Sequence, residues 1–308
     1  MKPNEGIPTL LTWMLVIIAG ISVANLYYSQ PLLNMIREDL HITEFQVNLV
    51  PVVTQIGYAL GLLLIIPLGD LYSRRTTVLA SLCALFFALL GVYFSPNISL
   101  LLVASFITGF SSVTPQIFIP FTSLYSKPEM KERKVGMVLT GLLVGILLSR
   151  VVSGYVGFLR GWRPIYIIAA VLIGFSALAV FKLFPNVEPT YKGSFFSLMT
   201  SFKKLITNHP NALVYSIRSA FAFGSFLGMW GCMAFRMKEA PFFQASNAVG
   251  MLGLCGIAGA LTASNVGKYI PRYGTERISA IGFALHVLAW MVLGLFHNHY
   301  AGLIAGVI

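Results

Sequence analysis

Apolar residues run along this chain in stretches of about twenty, broken by short clusters of charge, glycine, proline and asparagine. The stretch "LVPVVTQIGYALGLLLII" (49–66) and the stretch "LASLCALFFALLGVYF" (79–94) flank one such cluster, "PLGDLYSRRTTVL" (67–79). Neither stretch keeps a polar stripe at helical spacing, so neither reads as a helix with one face in water. A run of about 20 apolar residues is long enough to cross the ~30 Å hydrocarbon layer as a helix. On that rule the sequence predicts nine full spans, at 10–33, 45–68, 76–94, 99–122, 135–158, 164–184, 211–235, 245–267 and 278–296. A tenth apolar run begins near Tyr300, and nine residues from there to Ile308 are too few to cross.

Composition agrees with a polytopic membrane protein. Of 308 residues 57% are hydrophobic and 10% are charged, against about 25% charged in soluble domains. The net charge of +11 does not point to nucleic acid, because the bases fall between apolar runs and form no patch with interleaved aromatics. They point to topology. With the N-terminus in the cytoplasm, fourteen Lys and Arg fall on the cytoplasmic side (Lys2, Arg74, Arg75, Lys127, Lys131, Arg133, Lys134, Lys182, Lys192, Lys203, Lys204, Lys268, Arg272 and Arg277), and five fall outside (Arg37, Arg160, Arg163, Arg236 and Lys238). That excess predicts the N-terminus inside. Cys83, Cys232 and Cys255 lie within apolar runs, where small core residues are expected. The first run continues into "NLYYSQP" with no clear cleavage signal, which favours a retained helix over a signal peptide.

The longest connector, 185–210, separates six spans from the rest. Within it "FFSLMTSFKKLI" has the pattern of an interfacial amphipathic helix, and an ordinary solvated linker is the alternative. The expected organisation is a six-helix half over 1–184, a cytoplasmic linker over 185–210, and an incomplete second half over 211–308 with three helices and a stub. The loop after the second span, "IPLGDLYSRR" from Ile66, has a counterpart 201 positions on, "GKYIPRYGTE" from Gly267. Repeats of this kind mark the two halves of many secondary transporters.

These loops resemble the signature loop of the major facilitator superfamily, roughly Gly-x-x-x-Asp-Arg-x-Gly-Arg-Arg between helices two and three. Asp70, Arg74 and Arg75 match it, while Ile66, Leu71 and Ser73 depart from it. In the second loop Gly267, Arg272 and Gly274 match, and Pro271 takes the place of the acid. The stretches "ANLYYSQPLL" (24–33), "TPQIFIPFTSLYS" (114–126), "GLLVGILLSR" (141–150) and "RGWRPIYIIAA" (160–170) resemble the branch of drug and small-solute efflux carriers. The resemblance implies a two-half helical bundle in a bacterial inner (plasma) membrane. It also implies that Asp70, Arg74 and Arg75 form a cytoplasmic gate with the second half. The family has twelve helices, so the chain reads as a C-terminally truncated carrier.

Independently of the resemblance, Asp70 sits near the C-terminal end of a helix, where a carboxylate is disfavoured by ~0.3–1 kcal/mol unless paired. Arg74, four residues on, is one candidate partner; Arg74 and Arg75 serving only as topology anchors is the alternative reading. Arg150 is deep in the fifth span, ten residues or ~15 Å short of Arg160. A central arginine costs ~2.5–3.5 kcal/mol on insertion scales and is expected to face a cavity, with snorkelling as the alternative. No Asp or Glu lies deep in the first six spans, so its expected partners are amides, backbone carbonyls or an anionic group of a substrate. Gly141 and Gly145 before it suit close helix packing. The resemblance implies an antiporter-associated glycine motif there, from which Ile146 departs.

Asn25, Tyr28, Gln55, Tyr58 and Gln116 complete the candidate lining of a cavity for amphipathic solutes, although each could instead form a helix–helix hydrogen bond. His286 in the ninth span is expected to be structural. No nucleotide loop, dinucleotide fingerprint, metal-ligand cluster or hydrolytic triad is legible, so neither an enzyme nor a cofactor is expected. The expected partners are the lipid bilayer, a small-molecule substrate and protons as a candidate coupling ion. The functional expectation is a secondary transporter exporting small amphipathic solutes or drugs; the alternative is a non-functional truncated remnant of one.

Overall fold

The computed structural model describes residues 4–187, 191, 193–208, 210–256 and 269–307. Among these every regular element is helical: α1 (Thr9–Ala24), α2 (Leu33–Leu40), α3 (Glu44–Leu71), α4 (Arg74–Tyr93), α5 (Ile98–Ser111), α6 (Thr114–Tyr125), α7 (Lys131–Arg160), α8 (Pro164–Leu183), α9 (Phe195–Asn208), α10 (Pro210–Arg236), α11 (Ser246–Leu252), α12 (Ile270–Tyr273), α13 (Thr275–Leu295) and α14 (Tyr300–Val307).

Local chemistry sets several of these boundaries. A capping box starts α3: Gln46 N–H donates to Thr43 Oγ1 at 3.2 Å, and Thr43 N–H donates to Gln46 Oε1 at 2.9 Å. Asn97 Oδ1 accepts from Leu100 N–H at 3.0 Å to start α5. Pro115, at the first turn of α6, separates it from α5, as the Thr114-Pro115-Gln116 step predicts. The linker holds α9 where an amphipathic segment was expected.

Seven helices among the described residues are long and apolar enough to span a bilayer. The expectation of nine full spans therefore needs correction at the first. Helix α1 is 16 residues long and stops at Ala24; residues 25–29 form turns, and Gln30–Leu32 is a single 3-10 turn before α2. The cause is local: Asn25 Nδ2 bonds back to the carbonyls of Ile21 (2.9 Å) and Ser22 (3.1 Å), and Pro31 cannot donate to a continuing helix. The expected span 245–267 is described as α11 and a 3-10 turn through Cys255, and its remainder, 257–268, lies outside the described residues.

Glycines let the helices approach. A Cβ at Gly20 of α1 would stand 2.7 Å from the Gly141 carbonyl oxygen of α7, and one at Gly61 of α3 would stand 2.9 Å from Val113 Cγ1. Such contacts exclude any side chain and set backbone against backbone, as in membrane helix pairs generally. One large core of Leu, Ile, Val and Phe lies among α1 to α8, and a second holds Met229, Trp230, Met233, Val249, Leu293 and Leu303. The outward faces are apolar, as at Val52, Ile56 and Leu63 of α3 or Ile281 and Val287 of α13, which suits contact with lipid.

Helix α7 belongs to both packings. Its first half meets α1 at Gly141 and Gly145; its second half meets α11, where a Cβ on Gly154 would stand 2.6 Å from the Ser246 carbonyl oxygen. Ser246 Oγ also donates to the Gly154 carbonyl at 2.9 Å. Nearby, Lys238 pairs with Glu38, and the Arg37 guanidinium lies 5.5 Å from the centre of the Phe235 ring. These contacts form a seam at one end of the bundle, here called the Glu38 end. The loop between α3 and α4 marks the Asp70 end.

Candidate functional site

Arg150 occupies α7 beyond its midpoint and is 1% exposed, so it does not snorkel to the surface. Its Nε donates to Gln30 Oε1 at 2.8 Å, and Nη1 reaches the Ile146 carbonyl oxygen at 3.4 Å. Three rings surround the guanidinium: Trp230 at 4.4 Å, Tyr27 at 4.8 Å and Phe226 at 5.7 Å from the ring centres. Desolvated cation–π contacts of this kind contribute about 0.5–2 kcal/mol each. Gly253 gives the side chain its room, since a Cβ there would lie 3.1 Å from Arg150 Cβ and 3.2 Å from Cδ.

The local sequence explains the placement. Tyr27 and Gln30, three apart on the link between α1 and α2, both reach Arg150 of α7. Phe226 and Trp230 are four apart and share one face of α10. The site thus needs α7, the α1–α2 link, α10 and the turn after α11 together.

Arg150 lines a cavity of about 770 Å³ between α7, α10 and α13, whose walls include Tyr27, Ile146, Phe226, Trp230 and His286. Three donors at this site have no hydrogen-bond partner among the described residues: Arg150 Nη2, Gln30 Nε2 and Trp230 Nε1. A buried donor left unpaired costs about 1–3 kcal/mol, and more where it is charged. The orientation of the Gln30 amide follows from chemistry. Arginine can only donate, so the amide oxygen must face Nε and the amide nitrogen is left free.

The other expected lining residues lie elsewhere than on these walls. Asn25 is spent on its own helix, and Tyr28 packs in the large core. Gln116 Nε2 donates to the Tyr58 hydroxyl at 3.2 Å, tying α6 to α3, and Tyr58 packs against the group that holds Tyr27. Gln55 is half-buried, and its Nε2 has no partner among the described residues. His286, read from sequence as structural, contacts Ser225 Oγ of α10 and also lies in the cavity wall. Sequence reasoning missed Trp230 and Phe226 as well. Trp230 lies six residues before Arg236, near the end of its span where tryptophan is common, so its residue type carried no signal.

At the Asp70 end, Arg74 Nη2 lies 3.4 Å from Asp70 Oδ1, and the Tyr191 N–H donates to the Asp70 carbonyl at 3.3 Å. Arg75 donates to the Phe181 carbonyl, its guanidinium 5.0 Å from the centre of that residue's ring. In the second loop Arg272 is exposed with its guanidinium 5.4 Å from the Tyr273 ring centre, and Gly274, at φ +79°, precedes α13. Gly267 lies outside the described residues.

Comparison with known proteins adds three findings. The Major Facilitator Superfamily matches residues 13–308. The uncharacterized transporter YgaY of Escherichia coli is 31% identical over 100% of this chain and 78% of its own length. The crystal structure of a bacterial homolog of the human lysosomal transporter Spinster, inward-facing and unoccupied, superposes with a TM-score of 0.76 at 15% identity, covering 97% of this chain and 72% of that one.

Proposed function

Since the chain belongs to the Major Facilitator Superfamily, and is thereby an integral membrane transporter, we propose that it exports small amphipathic solutes through the Arg150 cavity, coupled to inward movement of protons. The observation that carries this reading is the cavity itself. Some 770 Å³ of largely apolar and aromatic wall surrounds one buried cation at the level where the two helical groups meet. Ligand sites of transporters are built there, and a few polar groups in an apolar wall suit amphipathic solutes. The family match over residues 13–308 supports transport over the alternative of a non-functional remnant.

In this reading the excess of Lys and Arg puts the N-terminus and the Asp70 end in the cytoplasm of a bacterial cell, at the inner membrane. The half over 1–184 and the half over 211–308 rock about the cavity, joined by the linker 185–210. Asp70, Arg74 and Arg75, with Gly267, Arg272 and Gly274 of the second loop, gate the cytoplasmic side. The seam of Gly154, Ser246, Glu38 and Lys238 closes the opposite side. His286, with Arg150 and Tyr27 a titratable side chain among the described residues of the cavity wall, is the proton carrier this reading proposes.

The test is efflux of anilinonaphthalene sulfonate, an amphipathic solute with no positive charge, from proteoliposomes with and without a pH gradient. Export is expected to rise with the gradient, and Arg150→Ala is expected to reduce it at least ten-fold. Equal rates with and without the gradient would remove proton coupling. Unchanged efflux by the Arg150 variant would remove the cavity as the pathway.

A further inference from the structure

We propose that the Arg150 cavity recognises its solute through a carboxylate, so that the substrates are amphipathic organic anions with an aromatic or alkyl body. The inference rests on the transport reading only for movement across the membrane; the binding chemistry stands on the site.

Three observations converge. The first is the donor count. Arg150 Nη2 and Trp230 Nε1, on residues of the cavity wall, and Gln30 Nε2, on a residue that bonds Arg150 but is not part of that wall, have no partner among the described residues, and all three are N–H donors. Arg150 can accept nothing, the Gln30 oxygen is already taken by Arg150 Nε at 2.8 Å, and the indole only donates. What such a site lacks is an acceptor. A carboxylate, with two oxygens that accept only, can take bonds from several donors at once and is matched by the planar guanidinium fork.

The second is the charge. The chain has ten Asp and Glu residues: Glu5, Glu38, Asp39, Glu44, Asp70, Glu129, Glu132, Glu188, Glu239 and Glu276. Each falls at a helix end, in a loop or near a terminus, and the segment 257–268 carries none. Among the described residues no carboxylate stands in the cavity wall beside Arg150. An intramembrane cation usually pairs with an acid of a neighbouring helix; here the anion must come with the ligand.

The third is the shape of the surroundings. Trp230, Phe226 and Tyr27 pack around the guanidinium and continue into the apolar wall, so a headgroup at Arg150 leaves its body among rings and aliphatic side chains. A cationic amphiphile would place like charges together in a dry site, which costs several kinds of interaction at once. A neutral amphiphile would satisfy the donors without balancing the charge.

The experiment compares two probes with one body, naphthylacetate and its neutral isostere naphthylacetamide, for binding to the full chain in lipid nanodiscs by equilibrium dialysis. The acid is expected to bind at least ten-fold tighter than the amide. Arg150→Gln is expected to abolish that preference and Arg150→Lys to keep part of it. Trp230→Phe, which removes one donor but keeps the ring, is expected to cut the preference about three-fold. Equal binding of acid and amide by the unaltered protein would overturn the proposal, and so would a preference that survives in Arg150→Gln. The unaltered protein decides even where a variant does not fold. Moving the same probes across proteoliposomes separates the two readings. An acid that binds with preference but is not moved supports the anion site and defeats transport. An amide moved as well as the acid, in an Arg150-dependent way, keeps transport and defeats the anion site.

Discussion

The two ends of the bundle differ in what holds them. At the Glu38 end, contacts cross between the helices before and after the linker: Lys238 of the α10–α11 loop pairs with Glu38, Ser246 of α11 donates to Gly154 of α7, and Gly154 allows no side chain between them. At the Asp70 end the contacts are local. Arg74 reaches Asp70 one turn away, Arg75 reaches Phe181 of α8, and Tyr215 donates to Glu276 at 3.3 Å within the second helical group. One end is a seam between two bodies, and the other is a set of independent anchors. That asymmetry is what one state of an alternating-access carrier requires, and it divides the roles of similar residues. Arg163, half-exposed at the Glu38 end, has the Asp39 carboxylate for a partner; Arg150, buried midway, has the Gln30 amide and the Ile146 carbonyl and no carboxylate among the described residues.

The strongest way to break the comparison is Gly154→Leu. Overpacking costs about 1–3 kcal/mol in cores that can relax. Here a bare Cβ would already stand 2.6 Å from a backbone oxygen, so the cost is expected at or above the top of that range. The yield of a disulfide between cysteines substituted at Glu38 and Lys238 should collapse in this variant, while Gly136→Leu, where a Cβ meets nothing within 4 Å, should leave it intact. Equal yields would mean that the seam is not closed at Gly154.

Charge reversal by Lys238→Glu comes next. The pair with Glu38 is exposed, and such pairs contribute about 0.2–1 kcal/mol, so thermal melting in detergent should shift slightly while the crosslink between other seam positions weakens. No change in either would make that ion pair incidental.

Acid should act in the same place. The hydrogen bond and charge of Lys238, then Asn34 and Arg37, outweigh a smaller penalty from partial burial and hold the Glu38 carboxyl below its ordinary range. For Asp39, partial burial pushes up, but the hydrogen bonds from Arg163 and Trp162 with their charge outweigh it, and the carboxyl again lies low. A lowered folded-state value means that the stabilisation is complete above the ordinary carboxylate range, near pH 4, and is lost as pH falls through the lowered values. The Glu38 end should therefore loosen only in acid below that range, as seen by faster proteolysis of the α10–α11 loop. Loosening on mild alkalinisation instead would contradict the pairing.

The smallest structural effect is expected for Asp70→Asn. The pair with Arg74 is an i,i+4 contact worth about 0.3–0.5 kcal/mol, and it offsets a carboxylate at a helix C-terminus that costs a similar amount. Melting should hardly move. A clear fall in melting temperature would make Asp70 a structural anchor rather than part of a gate.

The legible part of the fold was the part that depends on solvent. Apolar length located α3, α4, α7, α8, α10 and α13, because a backbone in lipid must close its own hydrogen bonds and only a helix of about 20 residues does so across the layer. The proline at position 115 and the glycines of α7 were readable for the same reason: they act on their own segment or on whatever packs there. The first span was misjudged because hydropathy does not register that Asn25 bonds back to its own helix. The link that follows carries Tyr27 and Gln30, the residues that reach Arg150. Asn25 and Tyr28 are as polar as their neighbours, and only the direction in which the link turns separates those in the core from those at the site.

By itself, then, the sequence determined that this is a helical membrane protein of a transporter family, that Arg150 lies well inside a span, and that no acidic residue lies deep in the first six spans. Those follow from residue type and from position along a rod of known rise. Which groups surround Arg150 was decided only by the tertiary structure. Gln30 is 120 positions away and Trp230 is 80, and two helices meet wherever glycines and small side chains let their backbones touch, a property of paired surfaces and not of either segment alone.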